Sequence, residues 1–285
     1  MTSQQHTAYT IGHAPSQIKH HEWRTASNSA PHLLPHLASL LTTNPSLKLL
    51  DIGCGPGTIS ASLAQRLLPS GHVLATDISD SVLERAKDHA LSQGLSVPDN
   101  ISFQKASVYE LPSPDGHFDV VHAHQVLCHL DSPVPAIREM LRVCKPGGLL
   151  SLRESDMKMW CFWPELPSLI TFHDLIVNVM LANKGQDKGG RKLVSWVLDA
   201  GVERKDVEAG FGTWCYSQEE DRKWWGEAMI ERLRTGEMRK KGIELALTTE
   251  EGVEEMIRGW REWMGREDAN LGIVNGEVIV RKPEV

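Results

Sequence analysis

The stretch Asp51-Ile52-Gly53-Cys54-Gly55-Pro56-Gly57 constrains this chain more than any other seven residues. Before it, Leu47-Lys48-Leu49-Leu50 together with Ile52 reads as a β-strand. After it, Ile59, Leu63, Leu67 and Leu68 recur at helical spacing. Glycine lets a backbone turn tightly and approach a ligand with no Cβ in the way. The helix that follows offers unpaired N–H groups to a negative group. A glycine-rich loop in other surroundings is an ordinary turn; between a strand and a helix it marks a binding loop.

The same alternation continues to Arg153. Strands are expected at Val73-Ala75, Ile101-Phe103, Phe118-Ala123 and Leu149-Arg153, and a helix with the apolar face Val82, Leu83, Ala86 and Ala90 follows the first of these. Ser132 and Pro133 open a further helix, with Ile137, Met140, Leu141 and Cys144 as its buried stripe. Strands alternating with helices predict a parallel sheet covered by helices. Beyond Arg153 the pattern loosens, with Pro164, Pro167 and the stretch 184–190, and eight of the nine tryptophans, all but Trp23, lie there. Packing of added helices is the default reading of each tryptophan, and a pocket wall the alternative. Asn275-Gly276, flanked by Ile273-Val274 and Val278-Val280, reads as a hairpin turn. The expected organisation is a helical cap over 1–45, a binding core over 46–156, a helical insertion or lid over 157–210, and a C-terminal completion of the sheet with inserted helices over 211–285.

Charge narrows the partners. With 30 Lys and Arg against 37 Asp and Glu, the net charge of −7 repels a phosphate backbone, so no nucleic-acid partner is expected. The basic run Arg239-Lys240-Lys241 reads as a solvated helix end. Five scattered cysteines without a C-x-x-C pair indicate neither a disulfide framework nor a zinc site. No run reaches the ~20 apolar residues of a membrane span, and Met1 to Gly12 has no signal-peptide pattern, so a cytoplasmic protein without a membrane partner is expected. Nothing indicates an oligomeric state.

Asp77 ends the second expected strand, where a carboxylate can accept from both hydroxyls of a ribose. Capping of the next helix is the alternative, although Ser79 and Asp80 are better placed for it. The dinucleotide pattern G-x-G-x-x-G requires glycine where this chain has Thr58; the third glycine is Gly57, giving G-x-G-x-G. That spacing favours S-adenosylmethionine over a nicotinamide dinucleotide.

Leu49 through Gly57, Asp77, Leu111-Pro112 through Phe118-Asp119-Val120-Val121, His124 through Leu130, and Leu141-Arg142-Val143-Cys144-Lys145-Pro146-Gly147-Gly148 occur in that order. In these stretches the chain resembles class I S-adenosylmethionine-dependent methyltransferases of the group that includes the ubiquinone and menaquinone C-methyltransferases. The resemblance implies an α/β, Rossmann-like, seven-stranded and mostly parallel sheet with an antiparallel final strand, helices on both faces and an extra helical lid. It also implies a cofactor site of Arg24, Asp51, Gly53, Cys54, Gly55, Gly57, Asp77, Ile78, Ser107, Val108 and His124. The methionine part would lie over Gly53 to Gly57, its carboxylate near Arg24, the ribose on Asp77 and the adenine beside Ile78. Many relatives carry a Gly-Asp pair where this chain has Ala106-Ser107, which leaves adenine recognition to Ser107 and the Val108 backbone.

Methyl transfer from a sulfonium needs alignment more than acid–base chemistry. By the same resemblance, His122, His124, His129, Glu154 and Asp156 lie near the acceptor. His124 is the candidate base where the acceptor must lose a proton, and His129, between apolar neighbours, suits a buried structural role. Nothing in the spacing fixes the histidines and Asp156 as one ligand set, so no metal site is expected. His122-Ala123-His124-Gln125 replaces the Asn/Asp-Pro-Pro-aromatic tetrad of relatives that methylate planar amino groups, which favours a small-molecule acceptor. The alternatives are a non-catalytic cofactor- or partner-binding protein of the same fold and an NAD-dependent oxidoreductase.

Overall fold

The computed structural model describes residues 21–284. A helical turn α1 (Ala26–Ser29) and helix α2 (Leu34–Thr43) lead into β1 (Lys48–Ile52). There follow α3 (Thr58–Leu67), β2 (His72–Asp77), α4 (Asp80–Ser92), β3 (Ile101–Lys105), β4 (Phe118–His124), α5 (Pro133–Val143) and β5 (Cys144–Trp163). The remainder supplies α6 (Pro167–Ala182), α7 (Gly189–Asp199), β6 (Val207–Tyr216), α8 (Glu219–Thr235), α9 (Glu237–Glu244), α10 (Glu250–Gly265) and β7 (Asn270–Arg281). No helix among the described residues is long and apolar enough to cross a membrane.

The seven strands form one sheet in the order β3-β2-β1-β4-β5-β7-β6, with β7 antiparallel to both of its neighbours and the pairs from β3 to β5 parallel. Residues next to each other on a strand point to opposite faces. Leu49, Val120 and Leu149 therefore pack with Leu37, Leu63 and Leu83 of α2, α3 and α4. Leu50, Val121 and Leu150 pack with Ile137 and Met140 of α5 and Leu193 of α7. A third apolar region joins α6, α8 and α10 to the outer parts of β5 and β7 through Phe172, Met229, Trp260, Met157 and Ile273. Strand order reverses between β1 and β4, and in open α/β sheets the carboxyl ends of the strands at such a point flank a crevice.

Three local expectations are corrected. Asn275-Gly276 is not a hairpin: both residues lie inside β7, paired with Ser155 and Glu154 on one side and Gly212 and Phe211 on the other. Glycine is needed at 276 because a Cβ there would run into the Gly190 carbonyl oxygen of α7. The boundary expected at residue 156 falls in the middle of β5, which continues to Trp163 and carries the sheet into the added helices. Ser132 stands at the N-cap of α5 without a side-chain cap hydrogen bond, and Pro133 occupies the first turn as expected.

Candidate functional site

The binding loop is built on three glycines with left-handed backbone, Gly53 (φ +65), Gly55 (φ +54) and Gly57 (φ +77), a region that strains residues with a Cβ. Their surroundings separate their roles. A Cβ at Gly53 would lie 2.5 Å from Val126 Cγ2, and one at Gly57 would lie 2.6 Å from Ala86 Cβ. At Gly55 nothing stands within 4 Å, so only this glycine presents bare backbone to open space. Gly57, expected at the cofactor, is not on the cavity wall and instead lets α3 pack closely on α4.

Asp77 braces the loop. Its Oδ2 accepts the Gly55 N–H at 3.1 Å and its Oδ1 the Ser79 N–H at 3.1 Å. Ser79, the N-cap of α4, makes no side-chain cap bond of its own. Below the loop Asp51 is buried and accepts from Ser60 Oγ. Burial pushes the Asp51 carboxyl up to about 7 against the opposing Ser60 hydrogen bond, and the Asp77 charge adds to the rise.

From this loop a cavity of about 1640 Å³, its open mouth included, runs inward under the added helices. Of the expected cofactor residues, Arg24, Asp51, Gly53, Cys54, Gly55, Asp77, Ile78, Ser107, Val108 and His124 line it. The inner end is walled by Met157, Trp160, Ile176, Met180, Trp214, Trp225, Arg232 and Ile273.

The two ends meet at the close of β4. Gln125 takes a left-handed backbone (φ 54), held by its N–H to the Arg153 carbonyl at 2.7 Å. Its side chain accepts from Arg24 Nη2 at 2.9 Å and donates to Asn275 Oδ1 at 3.1 Å. Arg24 is buried rather than on an exposed helix face, with its guanidinium 5.0 Å from the Trp214 ring centroid. Arg153, also buried, stands 4.6 Å from the same ring. It donates from Nε to Glu277 Oε1 at 2.8 Å and from Nη1 to His124 Nε2 at 3.2 Å.

That last bond fixes the state of His124. Because arginine only donates, Nε2 accepts and the ring proton of the neutral imidazole sits on Nδ1. Burial, then the charges of Arg24 and Arg153, hold His124 well below the usual histidine range. Nδ1 has no hydrogen-bond partner among the described residues. In this arrangement the nitrogen left uncommitted by Arg153 is the one that carries the proton.

The other residues expected near the acceptor divide. His122 is fully buried, with Nδ1 3.2 Å from Ser151 Oγ, and burial brings it down to about 4. Glu154 accepts the N–H groups of Val126, Leu127 and Cys128 at 3.0, 2.8 and 3.1 Å, so it anchors the turn after β4; burial pushes its carboxyl up to about 7. Asp156 pairs with Arg191 Nε at 2.7 Å. None of these three lines the cavity, whereas His129 does. Trp163 points outward, 54% exposed, and donates to Asp268 Oδ2 at 3.1 Å. His21, Gln125, Met157, Met180 and Arg232 were missed in the sequence; for Met157 and Met180 the one signal was the richness of the later half in large apolar side chains, which does not mark individual residues, and no spacing marked the other three.

Comparison with known proteins agrees with this geometry. The model of the methyltransferase domain family matches residues 43–201, more than half of the 285 residues. An uncharacterized methyltransferase of Schizosaccharomyces pombe is 29% identical over 276 residues, 93% of this chain and 92% of that protein. The ubiquinone/menaquinone biosynthesis C-methyltransferase UbiE of Ectopseudomonas mendocina is 33% identical over 172 residues, 56% of this chain and 66% of its own length. Among solved structures the cyclase SpnF superposes with a TM-score of 0.52 at 22% identity, over 92% of this chain and 85% of that one, a likeness of fold. The nicotinamide alternative is thereby set aside. With its binding loop at the switch point of a seven-stranded sheet, the chain belongs to the methyltransferase domain family and is a class I S-adenosylmethionine-dependent methyltransferase.

Proposed function

We propose that this enzyme methylates a small molecule with a flat, apolar body. The observation that carries the reading is one continuous cavity from the bare backbone at Gly55 to the indoles of Trp160, Trp214 and Trp225. The loop end suits the cofactor: at Gly55 it has a cradle that a side chain would fill, beside the Asp77 carboxylate. In this reading the backbone of Gly53 to Gly55 holds the methionine portion and Arg24 its carboxylate. Asp77 holds the ribose, while Ile78, Ser107 and Val108 receive the adenine. S-Adenosylmethionine supplies an electrophilic methyl group on sulfonium.

The chain's own contribution is to position the acceptor and exclude water. Trp160 and Trp225, whose rings meet edge to face at 6.0 Å between centroids, suit one face of a planar molecule. Met157, Ile176 and Met180 close the space around it. His124 offers its Nδ1–H as a donor that orients a polar atom of the acceptor, and rate enhancement comes from alignment. The test is incubation with S-adenosylmethionine labelled in the methyl group and a total cell extract, followed by separation of small molecules, protein and nucleic acid. Label is expected in an organic-soluble small molecule. Label confined to protein or nucleic acid would overturn the reading.

A further inference from the structure

Strand register places two thiols on one level of the sheet. Cys161 on β5 and Cys215 on β6 both pair with Gly272, which lies between them on β7. Residues paired across strands share a face of the sheet. Both cysteines are exposed, whereas Cys54, Cys128 and Cys144 are buried. The neighbouring row of Trp160, Ile273 and Trp214 points the opposite way and lines the cavity. The two thiols therefore stand on the outer face of the sheet, directly behind that wall.

Gly272 leaves the space between them open. A glycine inside a strand forgoes side-chain packing and often marks a place where another group comes close. A Cβ there would lie 2.7 Å from Cys161 Sγ and, among the described residues, within 4 Å of nothing else beyond its chain neighbours. The Cys161 thiol thus already leans over the glycine, and it donates to the Gly272 carbonyl oxygen at 3.8 Å. The Cys215 thiol lies more than 4 Å from the same point. Being exposed, it exchanges between staggered rotamers within nanoseconds, and one of these turns it inward.

Neighbouring strands lie about 4.8 Å apart, so the two Cα atoms are about 9.6 Å apart, too far for a disulfide, which needs them within about 7 Å. A bridging ion suits the gap. With both thiols turned inward, each side chain takes up on the order of 2.5 Å, and the remaining ~4.6 Å is the span of two metal–sulfur bonds in line. Among the described residues no group of three or more His, Cys, Asp or Glu side chains gathers to hold a metal, so zinc, which takes four ligands, is not served. Copper(I) is soft, and two thiolates in line satisfy it. We propose that Cys161 and Cys215 form a site for one Cu(I) ion, bound between two thiolates as the two thiol protons leave to solvent. The ion ties β5 to β6 across Gly272 and braces from behind the strands that carry Trp160 and Trp214. The site lies outside the cavity and does not depend on which molecule the cavity takes.

The test is an anaerobic titration of the reduced full chain with Cu(I) in competition with bicinchoninate, a chelator whose colour is lost as the protein takes the ion. One Cu(I) per chain is expected. In the native protein a thiol reagent should modify the two exposed cysteines of the five, and Cu(I) should protect both together. Cys161→Ser and Cys215→Ser replace a soft ligand by a hard one at exposed positions, and each should weaken binding at least about a hundredfold. Gly272→Ala keeps both thiols but sets a Cβ against Cys161 Sγ, and it should weaken binding about tenfold or more. No uptake of Cu(I) by the parent, protection of one thiol without the other, or parental affinity in any of the three variants would overturn the proposal. Should a variant fail to fold, the stoichiometry and the paired protection of the parent still decide.

Discussion

Replacing Asp77 by alanine removes one carboxylate with two sets of partners. Inside the protein it accepts from the N–H groups of Gly55 and Ser79, each at 3.1 Å. Both donors are near open space, so water can replace the acceptor, and the stability lost should be about 1 kcal/mol or less for each. Toward the ligand the same carboxylate is assigned to the ribose hydroxyls, where each bond to a charged group contributes about 1.5–3 kcal/mol. At about 1.4 kcal/mol for each factor of ten, one lost bond weakens binding about tenfold and two weaken it about a hundredfold or more. Loop bracing and ribose contact would both lower affinity, so the assay must separate them. Calorimetric titration with S-adenosylhomocysteine and with its 2′-deoxy analogue does so, since hydroxyl and carboxylate are the two ends of one bond. The parent should prefer the ribose form about tenfold, and Asp77→Ala should bind both forms alike. A variant that keeps the parent's preference would refute the ribose assignment, even if its overall affinity had fallen.

The other expectations are as follows. Gly57→Ala forces a Cβ to 2.6 Å from Ala86 Cβ at a φ of +77, so a thermal melt should show a loss of about 2 kcal/mol or more with cofactor affinity little changed in the protein that remains folded. Gly55→Ala should do the reverse, with only the strain of its φ in the melt and a large loss of cofactor affinity; matching behaviour of the two variants would contradict the roles given to them. His124→Gln should lower the rate of methyl transfer while leaving the shape of its pH profile unchanged, and a limb near pH 6.5 that disappears in the variant would restore a base to the mechanism. Trp160→Ala should raise the acceptor KM or lower kcat with cofactor affinity intact, whereas Trp163→Ala should alter neither, and comparable losses in both would remove Trp160 from the acceptor wall. His122, brought down by burial to about 4 from an unfolded value near 6.5, leaves the unfolded chain to take up the proton first as the pH falls. Stability is therefore lost below pH 6.5, by about 2 kcal/mol from this residue by pH 5, and urea midpoints of parent and His122→Gln should converge over that range.

Much of the framework is encoded in contiguous residues. The glycine loop is legible because a turn that needs left-handed backbone has few alternatives to glycine, as the φ values of Gly53, Gly55 and Gly57 bear out. The strands are legible because the two faces of a covered sheet require apolar neighbours such as Leu49 and Leu50. What stayed hidden depends on partners remote in the chain. Gly55 and Gly57 are equivalent in the sequence, and only the approach of Ala86 on α4 assigns one to the ligand and the other to packing. Asn275-Gly276 carries a local turn signal, but hydrogen bonding to β5 and β6 on both sides keeps it extended. Trp160 and Trp163 differ only in which side of β5 they face, and the lid helices decide which side is a cavity wall. Arg24, Gln125 and Asn275 are joined across 101 and 150 residues, distances at which no spacing rule operates. The chemistry of His124 lies at the same level: the sequence supplied an imidazole at the end of a strand, and a guanidinium on the neighbouring strand made it a donor by occupying its other nitrogen.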